Sequence, residues 1–208
     1  MQSLCSYEKG KKSFIGRTYN ADIECHVDFN DKLITPLRKA KKKLPRRVFL
    51  IGNHEERIDR ALEVQPELEL TIGYKDLRLE DFYDDIIDYA GTTPGSITID
   101  GITYAHYFVA GISGKPSSGS SPALLGLSKS HKSITQGHSH LFDYGSRPTL
   151  TGDRINSLVA GCFIGSDLEW AGQANKMWWH GCFIKRNVED GNYDLEVVSM
   201  ERLEKEYS

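Results

Sequence analysis

The 208-residue sequence predicts a mixed α/β (α+β) sandwich with a strand-rich C-terminal half. Three observations predict it. A stretch with helical spacing over residues 21–43 precedes the continuous apolar run Val48-Phe49-Leu50-Ile51, which has the length and character of a strand buried on both faces. Asp100-Gly101 sits between two β-rich runs, the mark of a tight two-residue hairpin. Further strand-like runs follow at Ser133–Gln136, Ser157–Phe163, Met177–Lys185 and Tyr193–Met200.

The length fits a single domain spanning residues 1–208. With 39% apolar residues, 26% charged residues and a formal net charge of −3, the chain is neither strongly disordered nor a wholesale polyanion binder. Its longest apolar runs fall far short of the roughly 20 residues of a membrane helix. The opening Met1-Gln2-Ser3-Leu4-Cys5-Ser6 lacks the basic start and apolar stretch of a secretion signal. A soluble, intracellular (cytoplasmic) protein with no membrane partner is expected. In that compartment Cys5, Cys25, Cys162 and Cys182, with no C-x-x-C pair among them, are expected as reduced thiols. Gly-Cys-Phe-Ile occurs at 161–164 and again at 181–184 and reads as two core strands of similar design.

Taken in order, residues 1–20 are polar, rich in lysine (Lys9, Lys11, Lys12) and without a period, a segment open to disorder. Ile23, Val27, Leu33 and Leu37 give the first helix its apolar side, and Pro36 is expected to kink or end it. Residues 38–47 hold seven basic residues in ten. They read as a solvated helix end complementing the dipole or, alternatively, as a nucleic-acid patch. The Val48–Ile51 strand ends at Gly52-Asn53-His54-Glu55-Glu56, and a helix follows through Arg57–Leu62. Glu80, Asp81, Asp84, Asp85 and Asp88 within Leu77–Tyr89 read as the solvated face of a helix, because no His stands at ligand spacing among them.

The second hairpin strand runs into Ala105-His106-Tyr107. Residues 111–122 are ten-twelfths Gly, Ser or Pro and read as a mobile loop, a candidate lid. Its Gly114-Lys115 is not a nucleotide P-loop, since Pro116 replaces the metal-binding Ser/Thr. Ser121 is expected to cap a helix that begins at Pro122. Trp170, Trp178 and Trp179 read as packing residues, with stacking on a base as the alternative.

Three short signals place a His, or an Asn-His pair, where a strand meets a loop: Gly52-Asn53-His54-Glu55, His106, and Gly137-His138-Ser139-His140. Sheets present ligands at such ends, and imidazole and carboxamide groups suit divalent transition metals. On an extended strand the two side chains of His-x-His point apart; on a tight turn they can converge on neighbouring metals. A preceding Gly lets the backbone come close. Leu141 stands where a serine nucleophile elbow needs Gly. His26, His131 and His180 lack such a setting and read as structural.

In this order, the three signals resemble the later motifs of the calcineurin-like metallophosphoesterases, of the phage and bacterial branch, over residues 48 to 165. The resemblance implies an αββα sandwich of two mixed sheets flanked by helices, in an intracellular hydrolase of a branch that includes virus-encoded members. It implies that Asn53, His106 and His138 bind one divalent metal and His140 a second, the ions being Mn²⁺, Fe²⁺, Zn²⁺ or Ni²⁺. It implies that His54 is catalytic, contacting the phosphate of a phosphorylated substrate and stabilising or protonating the leaving oxygen. A metal-bridging hydroxide would attack phosphorus in line.

The family pattern opens with Asp-x-His and Gly-Asp-x-x-(Asp/Asn), and nothing matching either precedes Gly52. Ser3-Leu4-Cys5-Ser6 looks like the stretch that follows the second motif, so the N-terminal strand–helix–strand is expected to be missing through a misplaced start, a split gene or a truncation. A separate chain supplying those motifs is one expected partner. Asp22-Ile23-Glu24-Cys25-His26-Val27-Asp28 is the nearest substitute and has helical spacing instead. Two dications about 3.5 Å apart repel by roughly 19 kcal/mol at an effective dielectric near 20, and Asn53, His106, His138 and His140 bring no negative charge. One metal or none is therefore expected on this chain, and Val48–Ile51 is expected to show an unpaired apolar edge. Two other classes stay open: a non-catalytic remnant or nucleic-acid-binding module using residues 38–47, and a zinc-stabilised structural domain.

Overall fold

A computed structural model describes residues 1–40, 43–112, 114–165 and 167–207, with the backbone alone at Glu169 and Trp170. The architecture is mixed α+β, and its contacts divide the chain into two compact units, Met1–Ala90 and Gly91–Ser208. Among the described residues no helix is long and apolar enough to cross a membrane.

In Met1–Ala90, helix α1 (Tyr19–Lys39) starts at Thr18, whose hydroxyl accepts from the Ala21 amide. The helix runs through Pro36 instead of ending there. Pro36 lies in the last turn, where its missing N–H removes a single bond and Ala40 N still reaches Pro36 O. Strand β1 (Val48–Leu50), helix α2 (Arg57–Val64), the single turn α3 (Leu79–Phe82) and strand β2 (Asp85–Ile87) follow. Ile51, Ile58, Leu77 and Leu79 form the core, with Met1, Leu4, Tyr19, Ile23 and Phe49 packed on it. The opening residues are tied down further by Ser3, which donates through N and Oγ to Asp22.

The expected helix over Leu77–Tyr89 is corrected. It is one helical turn followed by a strand, because Asp84 and Asp85 answer the basic run instead of water. Arg46 pairs with Asp85 at 2.7 Å and Arg47 with Asp84 at 2.8 Å, which zips β2 parallel to β1 in the register Val48↔Asp85. The Arg47 guanidinium holds the Asp84 carboxyl down to about 2. Arg38 and Lys39 occupy the last turn of α1, and Arg38 donates to Asp81 O; Lys41 and Lys42 lie outside the described residues. The nearest substitute for the missing motifs is spent within the unit, since Asp22 accepts from Ser3 and Asp28 pairs with Lys32. Among the described residues, β1 pairs with β2 alone.

Gly91–Ser208 is built on a five-stranded sheet of β3 (Ser96–Ile99), β4 (Ile102–Ala105), β5 (Ser133–Gln136), β6 (Phe142–Pro148) and β7 (Arg154–Ala160), in the order β3-β4-β5-β7-β6. Asp100 and Gly101 take the positive φ values, 48° and 78°, that the β3–β4 turn requires. β4, β5 and β7 are parallel neighbours, with antiparallel strands at both edges. Alternation then sorts the faces. Ile134 and Ser157 face helix α4 (Pro122–Ser130), where Gly126 leaves no room: a Cβ there would lie 2.5 Å from Ser157 Oγ. Tyr104 and Thr135, paired in register, face the hairpin of β8 (Gly181–Glu189) and β9 (Asn192–Ser199).

Ser121 is corrected as a cap: it precedes α4, but its side chain makes no capping bond, and the Asp143 carboxylate of β6 takes the Ala123 amide at 2.8 Å instead. β8 begins at Gly181, not Met177, because residues 169–177 form a 3-10 segment. Strand β6 and the closing helix α5 (Met200–Tyr207) have no counterpart in the expected elements. The loop after β4 is pinned by a Val109–Pro116 bridge and by Ser117 N donating to Phe108 O at 2.7 Å; Ser113 lies outside the described residues. All four cysteines are free thiols.

Candidate metal centre

His106 and Gly137 are the first residues beyond two parallel strands in register, Ala105↔Gln136. The ladder continues one step further, with Gly137 N donating to His106 O at 3.1 Å. The chain therefore delivers His106 and His138 to one edge of the sheet, at the carboxyl ends of its central strands. Gln136 fixes the same edge. Its side chain is buried and its Oε1 accepts the Phe108 amide at 2.9 Å, an anchoring role that composition and periodicity do not reveal.

His138 and His140 both stand in the left-handed region, at φ 69° and 62°, where a side chain costs on the order of 1 kcal/mol. Ser139 N bonds to Gly137 O at 2.8 Å, Trp179 N to His140 O at 2.9 Å and Gly161 N to Leu141 O at 2.9 Å, and these bonds hold the turn. Gly137 is not required by space: a Cβ there would meet only His106 O, at an ordinary 3.9 Å. The expected close backbone approach is thus replaced by an unusual backbone at the histidines themselves.

His138 Nδ1 and His106 Nε2 share a hydrogen bond of 3.2 Å, one imidazole donating to the other. Two nitrogens each about 2.0–2.1 Å from one ion, at octahedral to tetrahedral angles, are about 2.9–3.4 Å apart, so this spacing suits two ligands of one metal. Burial pushes the imidazoles down, and His106 falls to about 4 through burial and the charges His138 and His140 would carry. His138 and His140 are lowered chiefly by burial. All three are neutral at neutral pH, as ligands must be. Tyr107 flanks the pair, 4.8 Å from His138 between ring centroids.

His140 packs on a different neighbour. Its ring stands edge-on to Trp178 at 4.2 Å, and its Nδ1 is buried without a hydrogen-bond partner, a donor atom fitted to a metal and unused by the protein. Among the described residues no three His, Cys, Asp or Glu side chains gather as ligands of one ion. Trp179 packs on Phe142 and Phe183; the Trp170 side chain lies outside the described residues.

Asn53 and His54 belong to Met1–Ala90, in the turn after β1. Glu55 accepts the Gly52 amide at 2.9 Å, and Arg60 donates to Asn53 O at 3.1 Å, so the turn leads directly into α2. His54 is exposed and Asn53 half-buried. His26 is structural, its carbonyl accepting from the buried Asn30 amide at 2.9 Å. No family model, no curated protein and no solved structure matches the chain.

Proposed function

We propose that the chain is a metal-dependent phosphoesterase that hydrolyses a phosphomonoester or phosphodiester. The observation that carries the reading is the neutral His106–His138 pair, spaced as co-ligands at the carboxyl ends of β4 and β5. Support also comes from the motif series Gly52-Asn53-His54-Glu55, His106 and Gly137-His138-Ser139-His140 and its resemblance to calcineurin-like metallophosphoesterases. The layering of α4, five-stranded sheet and β8–β9 hairpin is compatible with that family's sandwich.

In this reading His106 Nε2 and His138 Nδ1 hold a single Mn²⁺, Fe²⁺, Zn²⁺ or Ni²⁺ ion; that Asn53 and His140 are further ligands is only what the motif resemblance implies. Once bound, the metal supplies Lewis-acid polarisation of phosphoryl oxygens and acidifies water. The protein's own part is to keep the imidazole lone pairs available by burial and to fix their spacing through the strained turn. His54, exposed on its own turn, carries the proton for the leaving oxygen; the roles of Asn53 and His54 rest on the motif resemblance.

Hydrolysis of p-nitrophenyl phosphate and bis(p-nitrophenyl) phosphate by the full chain with Mn²⁺ tests the reading. We expect turnover that EDTA abolishes and Mn²⁺ restores, reduced at least about a hundredfold in H138A and H54A. Turnover that survives EDTA, or none while the ion is demonstrably bound, overturns it.

A further inference from the structure

Away from the histidines, Gly91–Ser208 holds a second, half-buried basic nitrogen. Lys185 projects from β8 toward the sheet, where Nζ lies 2.5 Å from Thr135 Oγ1 and 3.1 Å from Tyr104 Oη. It also sits 4.2 Å and 4.9 Å from the ring centres of Tyr104 and Tyr193. Among the described residues no carboxylate pairs with it. Lys185 lines a cavity of about 490 Å³ whose walls include Phe163, Phe183, Cys162 and Cys182. That volume admits a small organic molecule.

We propose that Lys185 is a carbonyl-reactive amine that takes an aldehyde or ketone with an apolar body into this cavity as an imine. Burial with no compensating anion lowers its pKa to about 7, so a large share of the amine is neutral at physiological pH, against well under 1% for an ordinary lysine. A neutral amine has two N–H bonds and one lone pair. Thr135 and Tyr104 provide oxygens for the two N–H bonds, which leaves the lone pair as nucleophile. Nζ attacks the carbonyl carbon and the C=O π pair moves to oxygen. The carbinolamine then loses that oxygen as water, both of whose protons come from the amine nitrogen, one of them relayed through the Thr135 hydroxyl, to give C=N plus H₂O. The other titratable groups around Nζ are Tyr104 from β4 and Tyr193 from β9; Cys162, from the turn after β7, and Cys182, from β8, line the same cavity. Burial raises Tyr104, Tyr193 and Cys162, so these three stay protonated while Lys185 titrates.

The test treats the full chain with benzaldehyde and sodium cyanoborohydride between pH 6 and 10, and maps reductive alkylation by mass spectrometry. Lys185 is expected to label at pH 7 at least about tenfold faster than the exposed Lys129 and Lys132, with a rate inflection near pH 7. T135V, which folds around a side chain of the same shape, is expected to label severalfold more slowly. K185R is expected to lose the label on that peptide alone. Labelling of Lys185 no faster than Lys129, a rate that climbs to pH 9 without inflection, or an undiminished rate in T135V would each overturn the proposal.

Discussion

Within Gly91–Ser208, the His106–His138 pair and Lys185 solve the same electrostatic problem with opposite geometries. Both are basic nitrogens whose neutral form is favoured because burial penalises the cation. The histidines converge, with nitrogens 3.2 Å apart on a turn that holds left-handed backbone at His138 and His140. Lys185 stands alone on a β-strand, its nitrogen facing hydroxyls and aromatic rings. Burial alone therefore does not assign chemistry. Two converging imidazole nitrogens would chelate an ion once the proton between them is displaced, whereas one lone pair beside a cavity would act as a nucleophile.

The sharpest way to break the comparison is to remove one member of the chelate. H106A and H138A are each expected to weaken Ni²⁺ or Zn²⁺ binding about a hundredfold or more, nearly 3 kcal/mol, by isothermal titration calorimetry. H140A, whose ring packs edge-on to Trp178, is expected to change the first binding event less than about tenfold. Equal losses in all three variants would place His140 in the same coordination sphere and erase the two-nitrogen geometry.

Gly161 touches both regions. It donates to Leu141 O beside the histidine turn and lines the cavity of Lys185. At φ 58° an added Cβ would lie 2.5 Å from Trp179 O, a backbone atom that cannot swing away. G161A is expected to cost about 2–3 kcal/mol in urea unfolding and to lower both metal affinity and Lys185 labelling. If only one function falls, the two regions are mechanically independent.

These regions were unequally legible in the sequence. The Asp100-Gly101 turn and the motif around His138 are local signals, decided by residues within a few positions. The strand at Asp85–Ile87 reads locally as helix because its partners, Arg46 and Arg47, lie nearly forty positions earlier. The left-handed backbone of His138 and His140 leaves no trace in residue type. Lys185 could have been noticed from period two alone, since it shares a face of β8 with Phe183, but its burial depends on Tyr104 and Thr135 across the sheet. Residue type thus named the candidate ligands, while long-range packing sets their protonation.

The Lys185 half of the comparison has its own pH signature. Its folded pKa, about 7, lies below the ordinary 10.5. Between those values the unfolded chain binds more protons, so stability from this group rises with pH across the window and is absent below it. The stability of wild type relative to K185M is expected to grow by about 2 kcal/mol from pH 7 to 10, after allowance for partial exposure. A flat difference would mean that Lys185 stays charged in the folded protein.

The smallest effect probes the strain that separates the histidine turn from the lysine strand. His140 holds φ 62°, a conformation glycine adopts freely and alanine does not. Comparing H140G with H140A removes the imidazole from both proteins, so metal chemistry and the Trp178 contact cancel. What remains is backbone preference, offset in part by glycine's greater freedom in the unfolded chain. H140G is expected to be the more stable by about 1 kcal/mol in urea unfolding without metal. Equal stability would mean that the turn relaxes once the ring is gone, with the imidazole's own packing imposing the left-handed backbone. A clear advantage for glycine would instead mean that the bonds from Trp179 and Gly161 impose the backbone on whatever residue stands there, presenting His140 before any ion arrives.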